Sequence, residues 1–344
     1  MKIFNAMFSK VNGGLEQVFL NYTPALALQG NEVIPVIHPK AEVADACPQK
    51  QLRKIHNFNQ YDLFAVYRLK RLIAQEQPDC IITHSYRAAY LFSKTKTQVP
   101  TIAVCHVQGH YHFGTDAIIA ITESMREEII ASGIPAHTVF TVPNMLSLPS
   151  PFLMNPPKNK TVPTIGVCAR FVSMKGIDVF LAALSELKKQ GLSFIAKIAG
   201  DGPERETYLG LIHQYQLENE VYLLGWVSDT DSFYQDLDIF CLPSRKEAFG
   251  LVILEAMKHA LPMVLSDLPG PKEIIADTDS ALFFPSEDSC RLAHCLAQLI
   301  QNKELRQTLA ERAFLRIQHY SMKQIGPKLQ QVLQQVCAQK ATSR

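Results

Sequence analysis

The stretch from Leu237 to Met257 constrains this chain most. Leu237-Asp238-Ile239-Phe240-Cys241-Leu242-Pro243 reads as a short buried strand closed by proline. Phe249, Val252, Ile253, Ala256 and Met257 then recur at helical spacing. Strand, tight loop and helix in that order form the unit of an open α/β sheet, which presents helix-end amides to an anion outside the carboxyl ends of its strands. Gly250 removes a side chain where a phosphate could approach the backbone. Glu247 precedes the helix, and the spacing predicts Glu255 about two turns along it, near the same face. Either Glu taken singly reads equally well as a helix-end charge or a solvated helix residue.

The same alternation extends along all 344 residues, a length that suits two domains. A proline-rich stretch, with Pro149, Pro151, Pro156, Pro157 and Pro163, interrupts it and then strand and helix patterns restart. The expected organisation is a first domain over 1–147, a linker over 148–163, a second domain over 164–320 and a terminal helical segment over 321–344. A net charge of +2 offers no global field for nucleic acid. The eight cysteines are scattered among apolar neighbours, which predicts reduced thiols and a cytoplasmic protein. No basic and apolar leader precedes the first strand, and no apolar run reaches spanning length.

In the first half, strands are predicted at 2–7, 33–37, 80–83, 101–105, 116–121 and 139–142. Gly13 and Gly14 open a helix over 15–29, where the backbone can approach a ligand. They do not form Gly-x-Gly-x-x-Gly, which argues against a dinucleotide dehydrogenase. The pattern from Tyr61 to Gln77 is helical, with Arg68, Lys70 and Arg71 beside Leu63, Val66 and Tyr67. It reads either as an ordinary surface helix or as a face for anionic lipid. His106 follows the 101–105 strand, at the end where α/β sheets bind ligands. His110 and His112 read as loop residues, because no Cys or carboxylate falls at a metal-site spacing with them. Thr122 is placed to cap a helix.

In the second half, the strand 164–169 leads through Arg170-Phe171-Val172-Ser173-Met174-Lys175-Gly176 into a helix over 177–188. Two cations around such a loop suit a diphosphate: Arg binds it bidentately and Lys supplies a compact charge. The strand 194–199 ends in Gly200-Asp201-Gly202-Pro203. The pairs Asp229/Asp231, Asp236/Asp238 and Asp277/Asp279 read as caps and turns, and Cys290, His294 and Cys295 as residues of a packed helix.

Taken together, the Glu247–Glu255 string with its Phe-Gly-Leu turn, the Arg170 and Lys175-Gly176 pair, Gly200-x-Gly-Pro, and Gly13-Gly14-x-Glu resemble the motifs of retaining glycosyltransferases of family 4. The resemblance implies two facing Rossmann-like domains, the GT-B arrangement, with a C-terminal helix crossing back to the first. It implies a nucleotide diphosphate sugar donor, with Arg170 and Lys175 on the diphosphate, supported by amides at Phe249, Gly250 and Leu251. Glu255 would hold the ribose, Glu247 would orient the donor sugar, and Gly13, Gly14 and Gly200 would border the donor. His106 would contact the sugar at the reacting carbon. The acceptor would be a glycan or glycolipid, such as a cell-surface polysaccharide precursor, with peripheral membrane contact through the first domain. No metal, cofactor or protein nucleophile is implied. This chain departs from the family after Pro143-Asn144, where Met145-Leu146-Ser147 replaces the usual Gly-x-Asp. Two alternatives remain: a nucleotide-sugar epimerase of the same build, and a non-catalytic two-domain sugar binder.

Overall fold

Apolar runs buried on both faces make the strands of this protein, which is the signature of parallel sheets covered by helices. The computed structural model describes residues 1–11, 13–107, 109, 113–154 and 160–342, apart from the side chain of residue 277. The chain divides into two units, Met1–Ser147 with His319–Arg344, and Leu148–Gln318. His110 and His112 lie outside the described residues, as does the middle of the proline-rich stretch.

The first unit runs β1 (Lys2–Met7), α1 (Gly14–Ala27), β2 (Glu32–Ile37), β3 (Arg53–Lys54), α2 (Leu63–Glu76), β4 (Cys80–Thr83), α3 (Tyr86–Lys94), β5 (Thr101–Cys105), β6 (Ala117–Ala120), α4 (Glu123–Ala131) and β7 (Val139–Thr141). Its seven strands are parallel in the order β3-β2-β1-β4-β5-β6-β7. The order reverses between β1 and β4, and the loops leaving those strands splay to opposite faces there. Helix starts follow local chemistry: Asp62, Ser85 and Thr122 each accept a hydrogen bond from a first-turn amide of α2, α3 and α4. The α1 helix begins at Gly14, one residue earlier than its apolar spacing predicts.

The second unit runs β8 (Thr164–Cys168), α5 (Ile177–Lys189), β9 (Ile195–Ala199), α6 (Arg205–Gln214), β10 (Val221–Gly225), α7 (Thr230–Asp236), β11 (Ile239–Leu242), α8 (Leu251–Lys258), β12 (Met263–Ser266), α9 (Pro269–Ile275), β13 (Ala281–Phe284), α10 (Ser289–Gln301) and α11 (Lys303–Ile317). Six parallel strands lie in the order β10-β9-β8-β11-β12-β13, with the reversal between β8 and β11. Ile165, Val167, Phe180, Leu184, Ile198 and Ile239 lie in its core. Leu237 and Asp238 precede β11 rather than open it: Asp238 instead accepts the Thr164 amide at 2.8 Å and ties β11 to the start of β8. Asp229 caps α7, and Asp236 pairs with Lys160 and Lys197. Cys295 packs inward from α10, while Cys290 and His294 are exposed.

The last helix, α12 (Met322–Thr342), belongs to the first unit and packs along α1. Gly326 sits where a Cβ would come 3.1 Å from the Ala25 carbonyl, and Asn31 donates to Gln330 at 2.6 Å. The Met145-Leu146-Ser147 departure has a structural role. Asn21 of α1 donates to the Met145 carbonyl at 2.7 Å, and Leu146 bridges to Ser321 beside α12.

Candidate active site

The reversal point of the second sheet gathers the residues that the sequence singles out there. Arg170 and Lys175 leave β8, Glu247 and Gly250 leave β11, and those strands are neighbours. Lys175 Nζ donates to Glu247 Oε2 at 2.8 Å, and the Ser244 hydroxyl approaches the same oxygen at 3.4 Å. The two loops meet without intervening atoms. A Cβ on Gly176 would lie 2.0 Å from the Pro243 carbonyl oxygen. Arg245 locks them further, donating to both Asp178 oxygens, to Glu287 and to the Ser173 carbonyl. Four of the five N–H groups of its guanidinium are thereby used, whereas Arg170 is exposed and its side chain has no bond to a described residue. The loop cations thus divide: Arg245 builds the loop, while Arg170 and Lys175 face solvent-accessible space.

Helix α8 opens this space with an uncapped N-terminus. Its N-cap is Gly250 at φ +100°, a conformation that disfavours a side chain, and no side-chain cap bond is made there among the described residues. Free amides and the helix dipole attract anions at such an end. Leu251 is the first helical residue, while the Phe249 side chain is buried in the unit's interior. Glu255 lies one turn into α8 rather than two, because the helix starts at Leu251 and not at Phe249. The Tyr234 hydroxyl donates to Glu255 Oε2 at 2.7 Å. Burial pushes the Glu255 carboxyl above the usual carboxylate range, and the Tyr234 bond opposes that shift. Burial and the Glu255 charge also push the neighbouring Cys168 thiol up to about 12, so it stays protonated. Gly200 closes β9 on the other side of β8 and is bridged to Gly225. Strand β10 ends at Gly225, and Trp226 beyond it is 64% exposed.

The first unit has its own cluster at the carboxyl ends of β4 and β5. His84 and His106 follow these adjacent strands directly, so their rings stack 5.5 Å apart, with His84 Nδ1 3.3 Å from His106 Nε2. His84 is fully buried among Phe19 and Tyr22, and its Nε2 has no hydrogen-bond partner among the described residues. The His106 ring is partly accessible, yet enclosed enough that burial lowers its pKa to about 4. Burial, then the His106 ring, hold His84 well below the usual histidine range. Both rings are therefore neutral near neutral pH, and one of the two opposed nitrogens carries the proton. If His84 Nδ1 donates, its unpartnered Nε2 is a bare acceptor; in the reverse tautomer it is a stranded N–H. The first is the less costly arrangement, and it leaves His106 with an N–H at Nδ1. The cluster lines a pocket of about 510 Å³ with Leu15, Tyr86, Val107 and Phe113.

Gly13 is the N-cap of α1 in fully extended backbone, at φ −173°, so its conformation does not demand glycine. Glu16, in the first turn, is buried. Three partners were not singled out from the sequence. His84 carried a usable signal, since histidine directly follows two successive predicted strands. Tyr234 and Cys168 carried none, because they reach Glu255 only through the fold.

Two family models match the chain: Glycosyltransferase Family 4 over residues 12–148 and Glycosyl transferases group 1 over 153–316. The lipopolysaccharide core biosynthesis glycosyltransferase LpsE of Rhizobium meliloti is 26% identical over 321 residues, covering 91% of this chain and 92% of its own. Among solved structures, Anabaena Alr3699/HepE in complex with UDP-glucose superposes with a TM-score of 0.84 at 18% identity, over 97% of this chain and all of that one. The lipopolysaccharide outer core galactosyltransferase WaaB superposes with a TM-score of 0.77 at 18% identity, over 97% and 99%. With both sheets, their reversal points and the two matching models in agreement, the chain belongs to the group 1, family 4 glycosyltransferases of the GT-B fold.

Proposed function

We propose that this glycosyltransferase moves a sugar, with retention at the anomeric carbon, from a nucleoside diphosphate sugar to a glycan or glycolipid in cell-surface polysaccharide synthesis. The observation that carries the donor reading is the reversal point of the second sheet, where Lys175, Arg170 and the uncapped α8 converge. Two cations and free amides match a diphosphate, and Glu255, held by Tyr234, matches a pair of ribose hydroxyls. The UDP-glucose in the Anabaena structure supports uridine as the nucleoside, and the Rhizobium relative's part in lipopolysaccharide core synthesis supports the acceptor class.

In this reading the diphosphate leaves as its charge is met by Lys175, Arg170 and the amides of α8, with no metal or cofactor required. Glu247, released from Lys175 as that cation turns to phosphate, accepts hydrogen bonds from the donor sugar. A leaving-phosphate oxygen takes the acceptor proton on the face from which it departs, so no protein nucleophile forms. His106, neutral at working pH, donates a hydrogen bond to the sugar rather than supplying charge. Gly13 and Gly14 border the donor, and the first unit supplies the acceptor site.

The experiment is product analysis with UDP-sugars labelled at the anomeric carbon. Transfer with retained configuration is expected. Isomerised donor would identify an epimerase, and donor returned unchanged in the presence of an envelope glycolipid extract would leave only a binding protein.

A further inference from the structure

His84 is the buried half of the imidazole pair in the first unit, and three elements fix its ring. It follows Thr83, the last residue of β4, and its amide donates to the Ala6 carbonyl of β1 at 2.9 Å. Phe19 and Tyr22, one turn apart on α1, meet the imidazole at 83° and 89°, with ring centres 5.7 and 4.5 Å away. A buried ring wedged in this way keeps one orientation. His106 leaves β5, the neighbouring strand, so its ring is carried to the edge of His84.

The pair has the geometry of a hydrogen bond lying near both ring planes. The planes are 25° apart, and the 5.5 Å between ring centres is close to the full span of a 3.3 Å N···N contact laid along the line of centres. His84 Nδ1 and His106 Nε2 therefore point at each other, one as an N–H and the other as a lone pair.

Each direction of this bond commits the rest of both rings, which burial keeps neutral. If His106 donates, the His84 proton sits on Nε2, which is buried and bonds no described residue. The Phe19 and Tyr22 rings are at best weak acceptors for it, and the Tyr22 hydroxyl also bonds no described residue. If His84 donates, its Nε2 holds only a lone pair, and the single N–H of His106 stands at Nδ1. No described residue accepts from His106 Nδ1, and the ring lines the 510 Å³ pocket. A free neutral histidine favours its proton on Nε2, so the fold imposes the other tautomer on His106. We propose that His84 is a positioning residue for sugar transfer: its Nδ1–H occupies His106 Nε2, holds the His106 proton on Nδ1, and makes His106 a hydrogen-bond donor that cannot act as a base through Nε2. The tautomer half stands on the geometry of the pair; the link to transfer rests on the proposed contact of His106 with the donor sugar.

The test is a long-range proton–nitrogen correlation spectrum of the histidine rings in the full, isotopically labelled chain at neutral pH, with His106→Gln to assign the ring. Native His106 should carry its proton on Nδ1. In His84→Phe, which keeps a ring in place but no donor, that proton should move to Nε2. The melting temperature of this variant should stay near native or rise, because the swap also removes a buried nitrogen without a partner. UDP affinity should stay native, while kcat at saturating donor falls about ten- to hundredfold, the range for losing a group that orients an imidazole. His84→Asn, whose amide nitrogen takes the place of Nδ1, should restore the Nδ1 proton and most of kcat. Packing alone predicts the reverse order, with His84→Phe closer to native than the smaller His84→Asn, and that order overturns the proposal. So does an Nε2 proton on native His106, an Nδ1 proton that persists in His84→Phe, or native kcat in folded His84→Phe. If His84→Phe does not fold, an Nε2 proton on His106 in either the native chain or His84→Asn overturns it, and an Nδ1 proton in both upholds it. If the spectra behave as expected while the native chain turns over no UDP-sugar, the tautomer control stands and the proposed transfer fails.

Discussion

Lys175→Ala separates the two roles a partly buried lysine can play. Lys175 is 25% exposed and Glu247 13%, at 2.8 Å. As a stabilising ion pair at a partly hydrated loop, the contact contributes up to about 1 kcal/mol, lost equally whether or not donor is bound. As the cation facing a departing diphosphate, Lys175 instead supplies charge where charge develops, a contribution of about 2–4 kcal/mol per electrostatic donor. The second effect exceeds the first and corresponds to roughly 30- to 1,000-fold in kcat/KM. The loss should fall on kcat as well as KM, because the leaving phosphate gains charge in the transition state. Lys175→Ala/Glu247→Gln, which removes the stranded carboxylate, should recover most of any lost stability but little of the lost rate. The assay is steady-state release of nucleoside diphosphate, beside a thermal melt of each variant. Native kcat/KM in folded Lys175→Ala would remove the residue from the site. Recovery of rate in the double variant would mean that the defect was only a misplaced Glu247.

Four further outcomes test the rest of the site. Glu255→Ala should chiefly raise the apparent binding constant for the donor, since ribose contacts need not change during reaction; a turnover defect at saturating donor contradicts that role. His106→Ala should leave nucleotide affinity by calorimetry nearly native while sugar transfer falls about a hundredfold or more, the scale of one lost transition-state hydrogen bond; normal turnover rejects the assignment. Because burial lowers the His106 pKa to about 4 in the fold against about 6.5 unfolded, the unfolded chain binds the extra proton first. Its contribution to stability should be complete above pH 6.5 and lost as pH falls towards 4, with His84 adding in the same direction, so His106→Gln should flatten the melting-temperature profile across that window. Activity should persist in EDTA; a complete loss that added metal restores would refute charge neutralisation by Lys175, Arg170 and amides alone.

Periodicity and punctuation alone placed most of the strands and the helices beside the site. A doubly buried run such as Ile239 to Leu242 has few other uses, and a loop followed by helical spacing implies a crossover. Two domains were legible from the proline-rich break, and the loops that meet at the second sheet's reversal point from charge and glycine at strand ends. Local spacing erred by a turn at Glu255, because the apolar period runs back to Phe249 while the helix begins only after Gly250, whose positive φ breaks it. What tertiary structure alone decided is which groups meet. Residues 72 apart became the Lys175–Glu247 pair only because β8 and β11 are neighbours across the reversal. Tyr234 came to Glu255, and His84 to His106, by the same route. Strand order is set by burial summed over a whole sheet, so no window of sequence contains it. The pKa of His106 depends on that order in turn, since what buries the ring comes from β4, α1 and the loops beside them.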